Sequence, residues 1–453
     1  MNKMPDVKVP PQDLAAERSV LGALMIDREA IIKIADLLAP EDFYQESHRQ
    51  IYGAILDLFS KNEPIDLLTV RSKLKENKSN KDSNNAEYLT DLINEVPSSA
   101  HITHYATIIR QKKIRRDLIH ASAEINEKAF NETGGDLEEL LDNVEQKIFN
   151  ISQRSQTQKF LHIKDELPAA YERLAKMHSG EGRLRGLATE FTGLDNILSG
   201  LQKSELMLLG ARPSFGKTAF ALDIARQVGA NNNPVGIFSL EMSRDQIIDR
   251  FIAAQSQIPL WRLRTGRIND DSEFQMIQES LDQLDKMPIF IDDTPSPNVM
   301  QIRSMARRLQ IEHGLSLLII DYIQLIQSRS NSDNLVQQVT EISRSLKSLA
   351  RELNVPVLAL SQLSRDVDKR DTKIPRLSDL RDSGSLEQDA DVVLFIYRKD
   401  RDRQDLPEEE KNITEIIIAK NRNGPLGSVK LRFDPEKVSF RNIDTFHSSE
   451  DEN

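Results

Sequence analysis

Cysteine is absent from this sequence, which excludes disulfides and thiolate-held metals and suits a reducing compartment. Aromatic residues are few, 5% with a single tryptophan, and they form no series of the kind that stacks single-stranded bases on a sheet. Packing is the expected role of Trp261 and of the phenylalanines. Long apolar runs are missing too: nothing approaches the roughly 18 residues that a membrane-crossing helix requires. The opening MNKMPDVKVPPQDLAAERS has no apolar segment followed by a small-residue cleavage site, so secretion is not expected. An excess of positive charge is the last absence. The formal balance is -11, which argues against a surface coated for duplex DNA yet permits a local grip on a phosphate backbone, in a channel or on short loops. What the chain does have is length: 453 residues are too many for one ordinary core and predict two or three domains.

Residues 11–151 read as almost wholly helical. LAAERSVLGALMI repeats apolar residues at helical spacing, and SSAHITHYATIIRQKKIRRDLI is expected to start as a capped helix at Ser98, just after Pro97. DLEELLDNVEQKIFNI places Leu137, Leu140, Leu141, Val144, Ile148 and Ile151 on one side. Between them, 77–86 is a polar loop. A helical region without a cluster of reactive side chains reads as a packing or partner-binding module. The basic run RQKKIRR at 110–116 is expected to be a solvated face or a subunit contact. His101 and His104 lack the further ligands a metal needs. Residues 152–160 are polar and unpatterned, 163–179 read as a short helix, and 180–186 as a flexible spacer. A helix standing between two spacers either lies on its own domain or docks on a neighbouring subunit.

From about residue 187 short apolar runs alternate with helix-length amphipathic segments. ELMLLGA, VGIFSL, IFIDD, LSLLIIDY, VPVLALS, DVVLFIY and TEIIIAK are the strand candidates, and the alternation implies an α/β core with both sheet faces covered. The last run, followed by Asn423, Gly424 and SVKLRF, reads as a hairpin. Its tip carries Lys420 and Arg422, which taken alone read as a solvated turn. RKDRDRQDLPEEEK at 398–411 mixes signs, contains a proline, and is expected to be an exposed excursion between strands.

The strongest local signal is LMLLGARPSFGKTAFALDIA. Ala211, Arg212, Pro213, Ser214, Phe215, Gly216, Lys217 and Thr218 fit a Walker A loop with alanine in the first position, between an apolar strand and an amphipathic helix. Backbone N–H groups of such a loop cradle phosphate, Lys217 neutralises the outer phosphates, and Thr218 offers its hydroxyl to Mg²⁺. LSLLIIDYIQLI delivers Asp321 at a strand end, the Walker B position for the Mg²⁺ shell. Hydrolysis of ATP needs a carboxylate to activate water. Glu241 in FSLEMS stands just after a strand expected to neighbour the P-loop strand; a helix-cap acid is the other reading. Gln362, in LSQLSR at another strand end, places an amide where it could sense the γ-phosphate.

Taken together with PPQDLAAERSVLGALM, FTGLDNILSGL, LRDSGSLEQDADVVLF and AKNRNGP, these motifs make the chain, over essentially its whole length, resemble the DnaB family of bacterial replicative DNA helicases. The resemblance implies an α/β RecA-like P-loop ATPase domain preceded by an all-α N-terminal domain and a linker helix. The expected divisions are a helical collar at 1–151, a linker with an interface helix at 152–186, and a motor at 187–453. It further implies a homohexameric ring in the cytoplasm that uses ATP and Mg²⁺ to move 5′→3′ on single-stranded DNA, with primase and a helicase loader as partners and no membrane. By position in the motifs, Glu241 becomes the catalytic base and Gln362 a link between γ-phosphate and DNA. The hairpin sends Lys420 and Arg422 into the neighbouring subunit's ATP site. Arg381, Asp382, Ser383 and Gly384 match the family's central-channel DNA loop, with Asp382 where glutamate is more usual; 327–335 is a second channel-loop candidate. A RecA-like ATPase that does not translocate, such as a recombinase, and an inactive helicase-like scaffold are the rivals. The collar, linker helix and RDSGSLEQ loop disfavour the first, and the intact set of Lys217, Thr218, Glu241, Asp321 and Arg422 disfavours the second.

Overall fold

The computed structural model describes residues 9–77, 86–96, 98–130, 162–178, 184–268, 270–327, 335–370, 372–380, 384–401 and 410–443, with isolated positions between them. The chain divides into two compact units, residues 1–165 and 166–453. Among the described residues no helix is long and apolar enough to cross a membrane.

The first unit is helical: α1 (Leu14–Ile26), α2 (Glu46–Ser60), α3 (Leu67–Glu76), α4 (Ala86–Asn94) and α5 (Ile102–Phe130). Asp13 starts α1 by accepting Ala16 N–H at 3.0 Å, and Asp66 starts α3 by accepting Leu68 and Thr69 N–H at 2.9 Å. Val20, Leu21, Leu24, Ile51, Tyr52, Ile55, Leu89 and Ile109 form the core. Helices α1 and α4 meet at Gly22, where any Cβ would overlap the Leu92 carbonyl. Helix α5 begins at Ile102, four residues later than expected. The Ser98 hydroxyl instead accepts Ala100 N–H at 3.1 Å, closing a local turn.

Two arginines of the 110–116 run, expected to form a solvated face or a subunit contact, bond within their own unit, while Gln111 and Arg115 are exposed. Arg110 donates to the Leu37 carbonyl at 2.9 Å. Arg116 is buried and donates to the carbonyls of Pro11 at 2.8 Å and Asp42 at 2.5 Å. Both side chains therefore fasten loops of their own unit. Most of the 137–151 segment lies outside the described residues; Leu140, Asn143, Val144, Lys147, Ile148 and Ile151 are helical.

Helix α6 (Ile163–His178) leaves Ile163, Leu167, Tyr171 and Leu174 exposed. Then follow α7 (Thr192–Leu198), β1 (Leu206–Ala211), α8 (Lys217–Ala230), β2 (Val235–Ser239), α9 (Arg244–Ser256), α10 (Leu260–Thr265), α11 (Asp271–Leu284), β3 (Ile289–Asp292), α12 (Val299–Glu312), β4 (Leu317–Asp321), α13 (Leu335–Leu353), β5 (Val357–Gln362), α14 (Gly384–Asp389), β6 (Val392–Arg398), β7 (Ile413–Asn421), β8 (Gly427–Asp434) and β9 (Ser439–Asn442). The nine strands form one sheet in the order β3-β2-β4-β5-β1-β6-β7-β8-β9. Pairing is parallel from β3 through β6 and antiparallel from there. Strand β1 is apolar throughout because both its faces are covered: Met207, Leu209 and Ala211 join one core cluster, Leu206 and Leu208 the other.

Three expectations are corrected here. Strand β2 does not neighbour the P-loop strand; β4 and β5 stand between them. Adjacency in sequence does not fix adjacency in a parallel sheet, because a helical crossover can skip strand positions. Strand β1 spends its two edges on β5 and β6. In the 398–411 run Arg398 is 1% exposed; it pairs with Asp400 at 2.7 Å and lies 4.7 Å over the Phe433 ring. Trp261, expected to pack, is half exposed.

Candidate active site

Parallel strands deliver their C-terminal ends to one edge of a sheet, and the loops there build the site. The chain leaves β1 through residues 212–216 and enters α8. Ser214 at φ 65° and Gly216 at φ 95° bend the loop around the helix start. Gly216 is required twice, since a Cβ there would also meet Phe440 Cζ at 2.9 Å. Phe215 turns into the core, beneath the Arg212 guanidinium 4.7 Å from its ring. Arg212 also pairs with Asp368.

Asp321, at the end of β4, meets this loop. Thr218 Oγ1 donates to Asp321 Oδ2 at 2.5 Å. Lys217 Nζ lies 3.1 Å from Asp321 Oδ1 and 4.2 Å from the Tyr322 ring centre. Both of those charged atoms are buried, and neither makes a hydrogen bond. Ammonium and carboxylate attract each other but remain misaligned, which leaves each with unused bonding capacity. A hydroxyl and a carboxylate are hard oxygen donors of the kind Mg²⁺ takes, and a buried ammonium without an acceptor suits a phosphate oxygen. The residues present fit nucleotide and metal.

Together with these groups a cleft of 550 Å³ is lined by Ala211, Arg212, Pro213, Ser214, Gly216, Thr218, Glu241 and Gln362. Glu241 is exposed; it reaches the cleft despite the distance of β2 from β1, because every parallel strand ends on the same side. Its negative charge, with that of Asp321, adds to burial in pushing the Tyr322 hydroxyl above its ordinary value. The Gln362 backbone N–H is 3.5 Å from Gln324 Oε1.

Sequence reading missed the arginines that also line this cleft, Arg250, Arg264 and Arg401. Burial, then the Arg264 charge, lowers the Arg250 pKa, while Asp321 and Glu241 oppose the shift. A signal existed: Arg250 lies three residues after Ile247 and one before Phe251, both buried on α9. The far wall, Phe433, Pro435 and Val438, comes from β8 and the turn beyond. Strand β9, which follows that turn, is fastened to the P-loop helix by Asp223, a buried carboxylate on α8 that accepts Phe440 N–H at 2.6 Å and Ser439 Oγ–H at 3.0 Å, and from its own helix an Arg226 N–H at 3.2 Å. Burial nevertheless raises its pKa.

The basic pair stands elsewhere. Asn421 is level with Val392, and Val392 with Met207, so the end of β7 lies at the start of β1, across the sheet from the P-loop. Lys420 Nζ donates to the Glu387 carbonyl at 2.5 Å and the Gln388 carbonyl at 3.3 Å. Burial, then the Arg422 charge, lowers its pKa. Within one chain the pair and the P-loop do not meet. Gly384 begins α14. Arg381, Asp382 and Ser383 lie outside the described residues, as do 328–334 of the second loop candidate.

Residues 186–442 match the model of the DnaB-like helicase C terminal domain, and residues 9–111 that of the DnaB-like helicase N terminal domain. The chain belongs to the DnaB family of replicative DNA helicases. Replicative DNA helicase DnaB of Geobacillus stearothermophilus is 43% identical over 446 residues, covering 98% of this chain and 97% of that protein. Replicative DNA helicase DnaC of Bacillus subtilis (strain 168) is 44% identical over 439 residues, 96% of each. A solved DnaB-like replicative helicase, described with its interactions with primase, aligns with a TM-score of 0.79 at 32% identity over 95% of this chain and 100% of that one. As a DnaB-family member the protein is an ATP-dependent replicative helicase with an all-α N-terminal domain and a RecA-like ATPase domain.

Proposed function

We propose that ATP binds in the cleft beside the P-loop of one subunit and is completed by Lys420 and Arg422 of the next, in a homohexameric ring that moves 5′→3′ along single-stranded DNA. The observation that carries this reading is the placement of two half-sites at opposite ends of one sheet. Backbone N–H groups of Ser214, Gly216 and the start of α8, with the Lys217 ammonium, hold the phosphates. Thr218 and Asp321 are the groups that would hold Mg²⁺, which when bound neutralises charge developing on the transferred phosphoryl group. Glu241 takes a proton from water as its oxygen bonds to the γ-phosphorus. The bond to the β-phosphate oxygen breaks, giving ADP and phosphate. Gln362 stands where it can report the γ-phosphate to the DNA loops. Arg381, Asp382, Ser383 and Gly384 are assigned to sequence-blind phosphate contacts on the DNA.

The exposed apolar row on α6 supports a docking role for the linker helix against a neighbouring subunit. The domain reading follows: a collar at 1–151, a linker at 152–186 and a motor at 187–453. Primase is the partner assigned to the collar, by likeness to the solved relative, and a separate loader is expected to place the ring on DNA in the cytoplasm.

The test is ATP-dependent opening of a forked duplex by the wild type and by Lys217→Ala. Wild type should unwind, and Lys217→Ala should neither hydrolyse ATP nor unwind. A wild-type protein that hydrolyses ATP on single-stranded DNA yet never opens a fork, even with its loader, overturns the reading.

A further inference from the structure

Asp391 is 5% exposed at the entrance to β6, and the mechanism above gives it no part. Its Oδ2 accepts Leu206 N–H at 2.8 Å and Lys347 Nζ–H at 2.5 Å, which ties the start of β1 to α13. Its Oδ1 faces Arg422 Nη1 at 3.4 Å, and its backbone carbonyl accepts Arg422 N–H at 2.9 Å. Arg422 Nη2 donates to the Gln388 carbonyl at 2.5 Å. The arginine is thus held by its backbone and by its guanidinium nitrogens, yet its side chain is 49% exposed.

We propose that Asp391 is a positioning residue for Arg422, fixing the guanidinium so that its remaining donors point away from the chain. The inference rests on the reading of Arg422 as the residue that completes a neighbour's ATP site. A guanidinium offers more N–H donors than these two contacts use, and its planar fork suits phosphate oxygens. A half-exposed ion pair adds little to stability, so stability is a poor reason to hold this side chain. Orientation is a better one: a free arginine must surrender rotamer freedom each time it meets a phosphate, and a held one already has. The Leu206 and Lys347 contacts already satisfy one oxygen of Asp391, leaving the other for this role. Lys420 is held alongside by the last carbonyls of α14, groups that accept cations at any helix end. The short helix that Gly384 begins therefore ends against both cations.

The test is a double-mutant cycle on the full-length assembled protein with Asp391→Asn, Arg422→Ala and both together. Two quantities are measured: DNA-stimulated ATP hydrolysis, and the preference of the ring for a slowly hydrolysed fluorescent ATP analogue over the matching ADP analogue. Asp391→Asn should lower kcat by about tenfold and leave KM within about twofold. The double variant should be no slower than Arg422→Ala, and the loss of triphosphate preference should likewise fail to add. Should Asp391→Asn not assemble, Asp391→Glu takes its place, with a displaced charge and the same expected non-additivity. Losses that add, or an Asp391 variant with wild-type kcat, overturn the positioning role. If Arg422→Ala itself hydrolyses ATP at the wild-type rate, the trans-acting arginine is wrong and the inference falls with it; the single variants separate the two failures.

Discussion

Beneath the phosphate-binding loop, Asp223 is 2% exposed and holds Ser439 and Phe440 to α8 through its carboxylate. Burial raises its pKa above the ordinary 3.8, against the opposing pull of Arg226 and its hydrogen bonds. A raised carboxylate pKa means that the folded chain holds this proton more tightly than the unfolded chain does. The contribution is therefore neutral well below the ordinary value, and stability is lost as pH climbs from there through the folded-state pKa. Thermal unfolding measured at steps from about pH 4 upward should fall less steeply in Asp223→Asn than in wild type. Equal slopes would show that the carboxylate does not titrate across that range. Residues of this kind were not legible in the sequence. The meeting of Lys217, Thr218 and Asp321 was, because their motif spacing places a loop and a strand end at one edge of a parallel sheet. Asp223, Arg250 and Asp391 take their roles from segments distant in sequence, and Arg116 and Arg398 sit in charge runs that read as solvated until tertiary contacts bury them.

At the scale of elements, every strand candidate is a strand, because runs such as LSLLIIDY and VPVLALS are short, branched and bounded by helix-length segments. Their order was less accessible. Composition does not say which edge of β1 receives β5, so the place of β2, and with it the route by which Glu241 reaches the cleft, emerges only from the sheet. Strand β9 is the element with the largest unforeseen consequence. Phe440 packs against Phe220 at 5.4 Å and Phe433 at 4.7 Å between ring centres and closes over Gly216. Phe440→Ala should cost about 3–5 kcal/mol of motor-domain stability. Titration with a fluorescent nucleotide should also show weakened binding, although Phe440 is not among the residues lining the cleft. Unchanged affinity in a destabilised variant would confine β9 to a packing role.

For the whole molecule, the P-loop and the basic pair occupy opposite ends of the same sheet, so the proposed active site exists only between chains. Arg422→Ala should still assemble and bind nucleotide but lose most DNA-stimulated hydrolysis. An arginine supplied in trans is worth about 10³–10⁵ in rate in GTPases, and the loss in Arg422→Ala runs in the same direction. Mixing Arg422→Ala with Lys217→Ala chains should restore part of the activity, because some interfaces then pair an intact P-loop with an intact arginine. Mixtures no more active than the separate variants would place both groups in one chain's site. A further property follows from this division. A closed ring has as many interfaces as chains, whereas a ring breached at one seam has one fewer. With Arg422 acting in trans as proposed, the subunit at the breach would carry a nucleotide without its completing arginine, so a ring held open to admit a DNA strand would contain one silent site that closure around the strand would switch on.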